Sequence, residues 1–441
     1  MATPTEEKRK KLLLITISGG GGHTQAAKAQ AVKALSENPN TEIIQKDILI
    51  DLVSKRLGKG FVSLWNFSQK RGNITFLMFL QKNVPTADIV FGTFIFCRTL
   101  YLLLKEGVDQ IVDTQPVGTS PIIKAIKIVR KITGKPLKLE KIVTELPTDN
   151  VVHFFKPIKK LSPNDRAYIK LISTIPLLDN NQTAEGFWKK NCGLSESEVC
   201  YESFPLRPSF KKYLNTKRNQ NERMRILIHV NSYEEKFLIA DSIKKGDIPS
   251  EIYRDKIAIN IETDDKVSTI LLGSQPTEEA TIKYLKQYIE LMRYVASQER
   301  HIVFVFCNSH TENKNSLLKR IHTLLQKTTH FPHNLNVIPM CFQSDDVIAS
   351  LYYRSDATFT RSGGLTAMEL MSVAQGQIWI HSEVKHGNAA GEKIDKGMPI
   401  WERGNATYLQ EKKGARFITP ETFIDRCLPY FLPESSTAGI G

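Results

Sequence analysis

The chain has few cysteines and no paired ones. Cys97, Cys192, Cys200, Cys307, Cys341 and Cys427 include no CxxC and no short paired spacing. That excludes a zinc ribbon and a disulfide scaffold, and a reducing compartment is the simplest setting. Long hydrophobic runs are also missing. The longest, Ile89–Leu104, carries Arg98 inside it and falls short of the ~20 residues that cross a bilayer. The opening MATPTEEKRKK is not followed by an apolar stretch with a small-residue cleavage site, and Leu12–Ile17 is too short to serve as one, so no secretory signal is expected. Acidic residues are in deficit, 46 against 60 Lys and Arg, for a formal charge of +14. The basic residues form no RNP motif, no basic heptad region and no recognisable module with interleaved aromatics, so nucleic acid is not an expected partner. The charge itself is compatible with plain solvation of a soluble basic protein or with attraction to an anionic surface, phospholipid or nucleic acid, and does not choose between the two. With no nucleic-acid module present, an anionic membrane surface is the expected partner.

What is present is the composition of an ordinary globular protein: 441 residues, 41% hydrophobic and 24% charged. The length suggests two or three domains. Lys11–Ile17 (KLLLITI) reads as a buried strand; it enters SGGGGH at 18–23 and then the helical run TQAAKAQAVKALSE. Strand, glycine turn and helix open a doubly wound α/β domain. Glu42–Leu49, Asp109–Asp113 and Lys141–Glu145 read as further strands, and residues 61–105, rich in Phe, Leu, Trp and Tyr, as two or three helices with wide apolar faces. Pro205, Pro208 and the charged run KKYLNTKRNQNERMR mark a boundary. A second alternating series follows, with strands at Ser268–Leu272, His301–Cys307, Asn336–Met340, Ala357–Thr360 and Gln377–His381. Residues 231–267 fit it poorly and read as an insertion. The expected organisation is a first domain over 1–205, a hinge over 206–225, a second domain over 226–430 and a flexible tail over 431–441. Ligands of open α/β sheets sit at the carboxyl ends of the strands, so two such domains face each other across a cleft.

Two constellations can carry chemistry there. In SGGGGH, glycines including Gly21 and Gly22 let backbone approach a ligand, and the helix N-terminus that follows favours an anion. His23 opens that helix, where an imidazole titrating near neutrality can act as a general base; the plainer reading is a tight turn with a surface histidine. The pattern is neither GxGxxG nor a P-loop. In RSGGLTAMEL, Ser362, Gly363 and Gly364 expose N–H groups at a helix start that can seat a diphosphate. Arg361 adds charge or serves as a structural ion-pair partner. Glu369, one to two turns in, can accept both hydroxyls of a ribose or be an ordinary helix carboxylate. GSQPT at 273–277 is another candidate anion loop.

Taken in order, these stretches resemble the monogalactosyldiacylglycerol synthase family and the related bacterial N-acetylglucosaminyltransferase that makes lipid II. ITISGGGGHTQAAKAQAV, DQIVDTQPVGTSP, KIVTELPTDNVVHFFKP, FPLRPSF and RSGGLTAMELMSVAQGQIWI followed by HSEVKHGN carry the resemblance, which runs loosely from residue 12 to about 395. It implies a GT-B glycosyltransferase: two Rossmann-like domains, the first binding the acceptor at a membrane and the second a UDP-sugar, inverting the anomeric centre without a metal or other cofactor. On that pattern His23 is the base and Glu145 an acid that orients it. Gly21, Gly22, Gly273, Ser274, Arg361, Ser362, Gly363, Gly364, Leu365 and Thr366 surround the donor diphosphate. Glu369 holds the ribose, Phe342 and Gln343 lie near the uracil, and Glu383 and Asn388 approach the donor sugar.

The sequence departs from the family at Ser18, where plant-type members carry an Asp, and at Gln115, where a His is common. These departures leave room for a degenerate GT-B scaffold that binds without turnover; a sugar-nucleotide epimerase on the same fold is a further rival. The first expectation is a UDP-sugar glycosyltransferase with a lipid or membrane-associated acceptor, cytoplasmic and peripheral to a membrane.

Overall fold

The computed structural model describes residues 9–19, 21–179, 181–204, 206–218, 222–246, 248–295, 299–308, 316–384 and 394–431. Six parallel strands form the first sheet: β1 (Lys11–Thr16), β2 (Glu42–Asp47), β3 (Gln110–Asp113), β4 (Leu139–Ile142), β5 (Ile169–Ser173) and β6 (Val199–Tyr201). Their order is β2-β1-β3-β4-β5-β6. Leu12, Leu13, Leu14 and Ile15 are all buried, because helices cover both faces of a parallel sheet and an unbroken apolar run suits both.

The second domain starts with β7 (Met224–His229), β8 (Ser250–Ile252) and β9 (Lys256–Ile261), a small antiparallel sheet in the order β7-β9-β8. The segment 231–267, read above as an insertion, thus contains a helix (Tyr233–Ile243) and strand pairing. Ile226, Ile228, Ile257, Ile259 and Ile261 join the main core of the second domain. Six parallel strands follow: β10 (Lys266–Leu271), β11 (His301–Phe306), β12 (Leu335–Met340), β13 (Ala357–Thr360), β14 (Gln377–His381) and β15 (Arg416–Ile418), in the order β12-β11-β10-β13-β14-β15. Two doubly wound α/β domains facing each other across a cleft are the GT-B architecture.

In each sheet the order reverses at one point, between β1 and β3 in the first and between β10 and β13 in the second. The loops leaving these strands diverge there and open a crevice. The loop after β1 carries the glycine run and the loop after β13 carries Arg361–Gly363, so both glycine turns are brought to the cleft.

Between β2 and β3 the chain forms three helices, Lys55–Lys70, Ile74–Lys82 and Val84–Glu106. Leu77, Ile95 and Leu103 anchor them in the core, while Leu57, Leu64, Phe67, Phe79, Ile89, Val90, Phe94 and Tyr101 stay exposed. Among the described residues, no helix is long and apolar enough to cross a membrane.

Candidate functional site

The cleft is walled by both domains. From the first come Gly19, Gly21, Gly22, His23, Trp65, Gln69, Thr144 and Glu145. From the second come Gly273, Ser274, Phe342, Gln343, Arg361, Gly363, Gly364, Leu365, Thr366, Glu369 and Trp401. Two helix N-termini meet in it. The helix Gly22–Glu37 starts after Gly21, whose φ of 78° suits only glycine without strain, and the helix Gly364–Val373 starts after Gly363. Neither has a side-chain cap or an acid in its first turn. A Cβ on Gly22 would stand 3.8 Å from Leu365, so the two starts face each other closely. Their partial positive ends converge on one space, which favours an anion.

His23 lies at this convergence. Its Nδ1 is 2.8 Å from the Thr114 carbonyl and 2.9 Å from Thr144 Oγ1. A carbonyl only accepts, so Nδ1 carries the proton and Nε2 has the free lone pair. Thr114 Oγ1 donates to the His23 carbonyl at 3.0 Å, which ties the same two residues a second time. Burial lowers the imidazole pKa to about 4, the Thr114 hydrogen bond opposing the shift and Lys141 adding to it. The ring is therefore neutral at physiological pH.

Glu145 does not orient His23. The strand β4 ends at Ile142, so Thr144 and Glu145 lie in the loop beyond it, and it is Thr144 that reaches the imidazole. Glu145 points across the domain interface instead: Asn405 Nδ2 donates to its Oε2 at 2.6 Å, and the Gly364 N–H bonds its carboxyl as well. Burial raises its pKa to about 8, with the Glu402 charge adding to the rise, so it is protonated at neutral pH. Asn405 also accepts from the Leu146 N–H at 2.8 Å and donates to the Ser362 carbonyl at 2.7 Å, joining both domains through one amide.

Several expected donor contacts are otherwise engaged. Arg361 forms a buried two-pronged pair with Glu402, Nη2 to Oε1 at 2.8 Å and Nε to Oε2 at 3.2 Å. Burial disfavours its charge, but Glu402 outweighs this and holds its pKa above the usual value. It borders the cleft as an ion-pair partner, not as a free cation. Ser362 is fully buried and donates to the Glu402 carbonyl at 2.7 Å, so its side chain does not line the cleft. Glu369 lines the cleft but is held by Arg207 from the interdomain connection, at 2.5 and 2.7 Å, and Arg207 also reaches Asp345 at 2.6 Å. Burial pushes the Glu369 carboxyl up, partly countered by Arg207. The Gln343 amide pairs with the backbone of His229 in both directions, at 2.8 and 3.0 Å, and so braces the loop after β12. Phe342 stays half-exposed in the cleft. Glu383 does not line it: it pairs with His381 at 3.0 Å and abuts Gly72 of the first domain. Burial opposes its charge, yet the His381 pairing brings the carboxyl pKa down to about 2. Asn388 lies outside the described residues.

The two departures from the family pattern have structural places. Ser18 donates from N and Oγ to Asp47 at 2.7 and 2.6 Å, and Asp47 in turn accepts from the Leu49 and Ile50 N–H groups. Gln115 is buried against Asp113, which pairs with Lys141 at 2.6 Å, and it does not reach the cleft.

Trp65, Gln69, Arg207 and Trp401 were not among the expected site residues. Trp65 stacks on Trp401 across the interface, ring centroids 6.2 Å apart and planes within 21°. His153 packs on Trp401 at 5.7 Å, and burial lowers its pKa to about 3. The FPLRPSF stretch was the available signal for Arg207; nothing local in sequence pointed to the tryptophans. Among the described residues, no group of three or more His, Cys, Asp or Glu is placed to hold a metal ion.

No family model matches the chain, and no curated protein sequence matches it. Among solved structures it is similar to MurG of Acinetobacter baumannii, with 13% identity, a TM-score of 0.43, and 96% of this chain and 91% of that chain covered. It is also similar to a UDP-GlcNAc 2-epimerase from Neisseria meningitidis bound to UDP-GlcNAc, with 12% identity, a TM-score of 0.41, and 94% and 96% covered. A third is the apo form of the lipopolysaccharide outer core galactosyltransferase WaaB, with 11% identity, a TM-score of 0.35, and 96% of each chain covered.

Proposed function

We propose that the chain is an inverting, metal-independent glycosyltransferase. It moves a hexose or N-acetylhexosamine from a UDP-sugar to a hydroxyl of a lipid or membrane-associated acceptor, working on the cytoplasmic side of a membrane. One observation carries this reading: a histidine with its tautomer set by Thr114, its Nε2 unprotonated, at the meeting of two uncapped helix N-termini.

The acceptor hydroxyl gives its proton to His23 Nε2 as its oxygen bonds to the anomeric carbon. The bond from that carbon to the diphosphate oxygen breaks, and the electron pair leaves with UDP. Negative charge grows on the diphosphate between the two helix starts, which are already oriented toward it. A base of pKa about 4 is weak, but a bound diphosphate places negative charge beside it and raises that value toward neutrality. The carboxyl groups around the centre are held by Arg207, Arg361 and Asn405, which favours a single displacement with inversion. Closed domains keep water from competing with the acceptor. The exposed apolar side chains of residues 55–104, with Lys55, Arg56, Lys59 and Lys70 near them, suit an anionic lipid surface.

The test is UDP release from UDP-glucose, UDP-galactose and UDP-GlcNAc, with and without anionic liposomes containing diacylglycerol. Release with one of these sugars is expected, and His23→Ala is expected to lower it by about 10²–10⁴-fold while UDP still binds. Unchanged turnover in His23→Ala, or UDP binding with no release from any sugar, overturns the reading. An epimerised sugar formed from donor alone makes the chain an epimerase.

A further inference from the structure

We infer that Trp65 and Gln69, on the first-domain helix Lys55–Lys70, form the hexose subsite of the cleft and read the ring of the donor sugar. The inference rests on the assignment of the cleft to a UDP-sugar. Four residues apart, the two side chains share one face of the helix, and both line the cleft. Trp65 Nε1 and Gln69 Oε1 are shielded from solvent, and neither has a hydrogen-bond partner among the described residues. Buried polar atoms are nearly always paired, because an unmade hydrogen bond there is costly. One turn of helix thus presents an unpaired donor and an unpaired acceptor together. A sugar hydroxyl both donates and accepts, so a hydroxyl-bearing ring can satisfy both; the indole faces are taken by Phe61 and Trp401, leaving the N–H as the group on offer.

The sheet order says which part of the donor arrives here. Phe342 follows β12 at one outer edge of the second sheet, whereas the helix of Trp401, Ile400–Lys413, leads into β15 at the other. The Gly273 and Gly363 turns lie between, at the reversal of strand order. A nucleotide whose diphosphate occupies those turns and whose base lies toward Phe342 directs its sugar toward Trp65. The helix is held against the donor domain at that end. Trp65 stacks on Trp401, Thr277 Oγ1 donates to the Gln69 carbonyl at 3.5 Å, and a Cβ on Gly72 would stand 2.6 Å from the Glu383 carboxyl carbon.

Calorimetric binding of UDP, UDP-glucose, UDP-galactose and UDP-GlcNAc to the full chain tests this. The wild type is expected to bind at least one UDP-sugar more tightly than UDP. Trp65→Phe, which keeps a ring and removes the N–H, and Gln69→Leu, which keeps the shape and removes the acceptor, are each expected to shrink that margin by roughly tenfold with UDP affinity within about twofold. Gln69→Glu, which keeps an acceptor oxygen, is expected to retain the margin. Thermal unfolding checks that each variant is folded. A wild type that binds UDP and every UDP-sugar alike, or a margin that survives both Trp65→Phe and Gln69→Leu, overturns the subsite. A wild type that binds no UDP removes the donor-cleft assignment itself, which is a separate result.

Discussion

The Thr114 carbonyl occupies one nitrogen of His23 and leaves the lone pair of the other free. Its neighbour in space, Glu145, holds a proton of its own because burial raises the carboxyl to about 8 from 4.5. The sign of the resulting pH dependence is definite. As pH rises from 4.5 to 8 the unfolded chain gives up this proton and the folded chain retains it, so the contribution of Glu145 to stability is present at low pH and declines across that window. Glu145→Gln has no such titration, and its amide oxygen can still accept from Asn405. The melting temperature of Glu145→Gln minus that of wild type is expected to become more positive between pH 5 and pH 8; a constant difference contradicts the assignment. His23 was legible in sequence because a glycine run and a helix start surround it. The partner of Glu145 was not, because Asn405 lies 260 residues away and nothing local marks the pair. Arg361 shows the same limit: its place beside the cleft followed from RSGG, but its pairing with Glu402 depends on a helix that packs only in the fold.

Among the elements, the helix Lys55–Lys70 has two contrasting faces. Trp65 and Gln69 meet the cleft, while Leu57, Leu64 and Phe67 stand in solvent, with Arg71 4.3 Å above the Phe67 ring. If the outer face enters a lipid surface, Leu64→Glu with Phe67→Glu should reduce binding to anionic vesicles by about tenfold or more in co-sedimentation, because two buried apolar side chains are each worth about 1.5–3 kcal/mol. UDP affinity should not move, since neither side chain lines the cleft. Equal vesicle binding by the double variant argues against a membrane role for this face. Strands β1 and β11 are readable from apolar runs bounded by turns, whereas β10 and β13, broken by Ser and Thr, are readable from their place in the strand–loop–helix series. The short β5, β6 and β15 were not singled out, having three to five residues each and little pattern. The segment 231–267 misled because β7 and β9 pair antiparallel, outside the parallel alternation on either side.

For the molecule as a whole, the cleft depends on how closely the domains approach. Gly364 has no side chain for a steric reason: a Cβ there would run into the Thr144 carbonyl and the Glu145 carboxyl group of the facing domain. Gly364→Ala is expected to leave each domain folded but hold the domains apart. The radius of gyration in small-angle scattering should rise, and UDP release should fall more than tenfold, with the far-ultraviolet circular dichroism unchanged. Wild-type compactness together with wild-type release in Gly364→Ala shows that close approach at this point is not needed. The two-domain plan was visible in sequence as two repeats of strand, glycine turn and helix. The contacts that hold the cleft shut were not, since Arg207 and Glu369 are 162 residues apart and Trp65 meets Trp401 from a different domain.

The amide of Asn405 has one more consequence, for the order in which the protein is made. It closes hydrogen bonds to Leu146 and Glu145 that were synthesised about 260 residues earlier. At roughly 5–20 residues per second on a ribosome, that gap lasts roughly 10–50 s. For most of that interval the facing helix Gly364–Val373 has not been made, so His23 and Glu145 emerge without the second-domain groups they meet in the fold. The two walls of the cleft are joined through this amide only after the helix Ile400–Lys413 has been translated and docked. Chains truncated before this helix therefore carry the first-domain wall of the cleft and lack the residue that fastens it to the second domain.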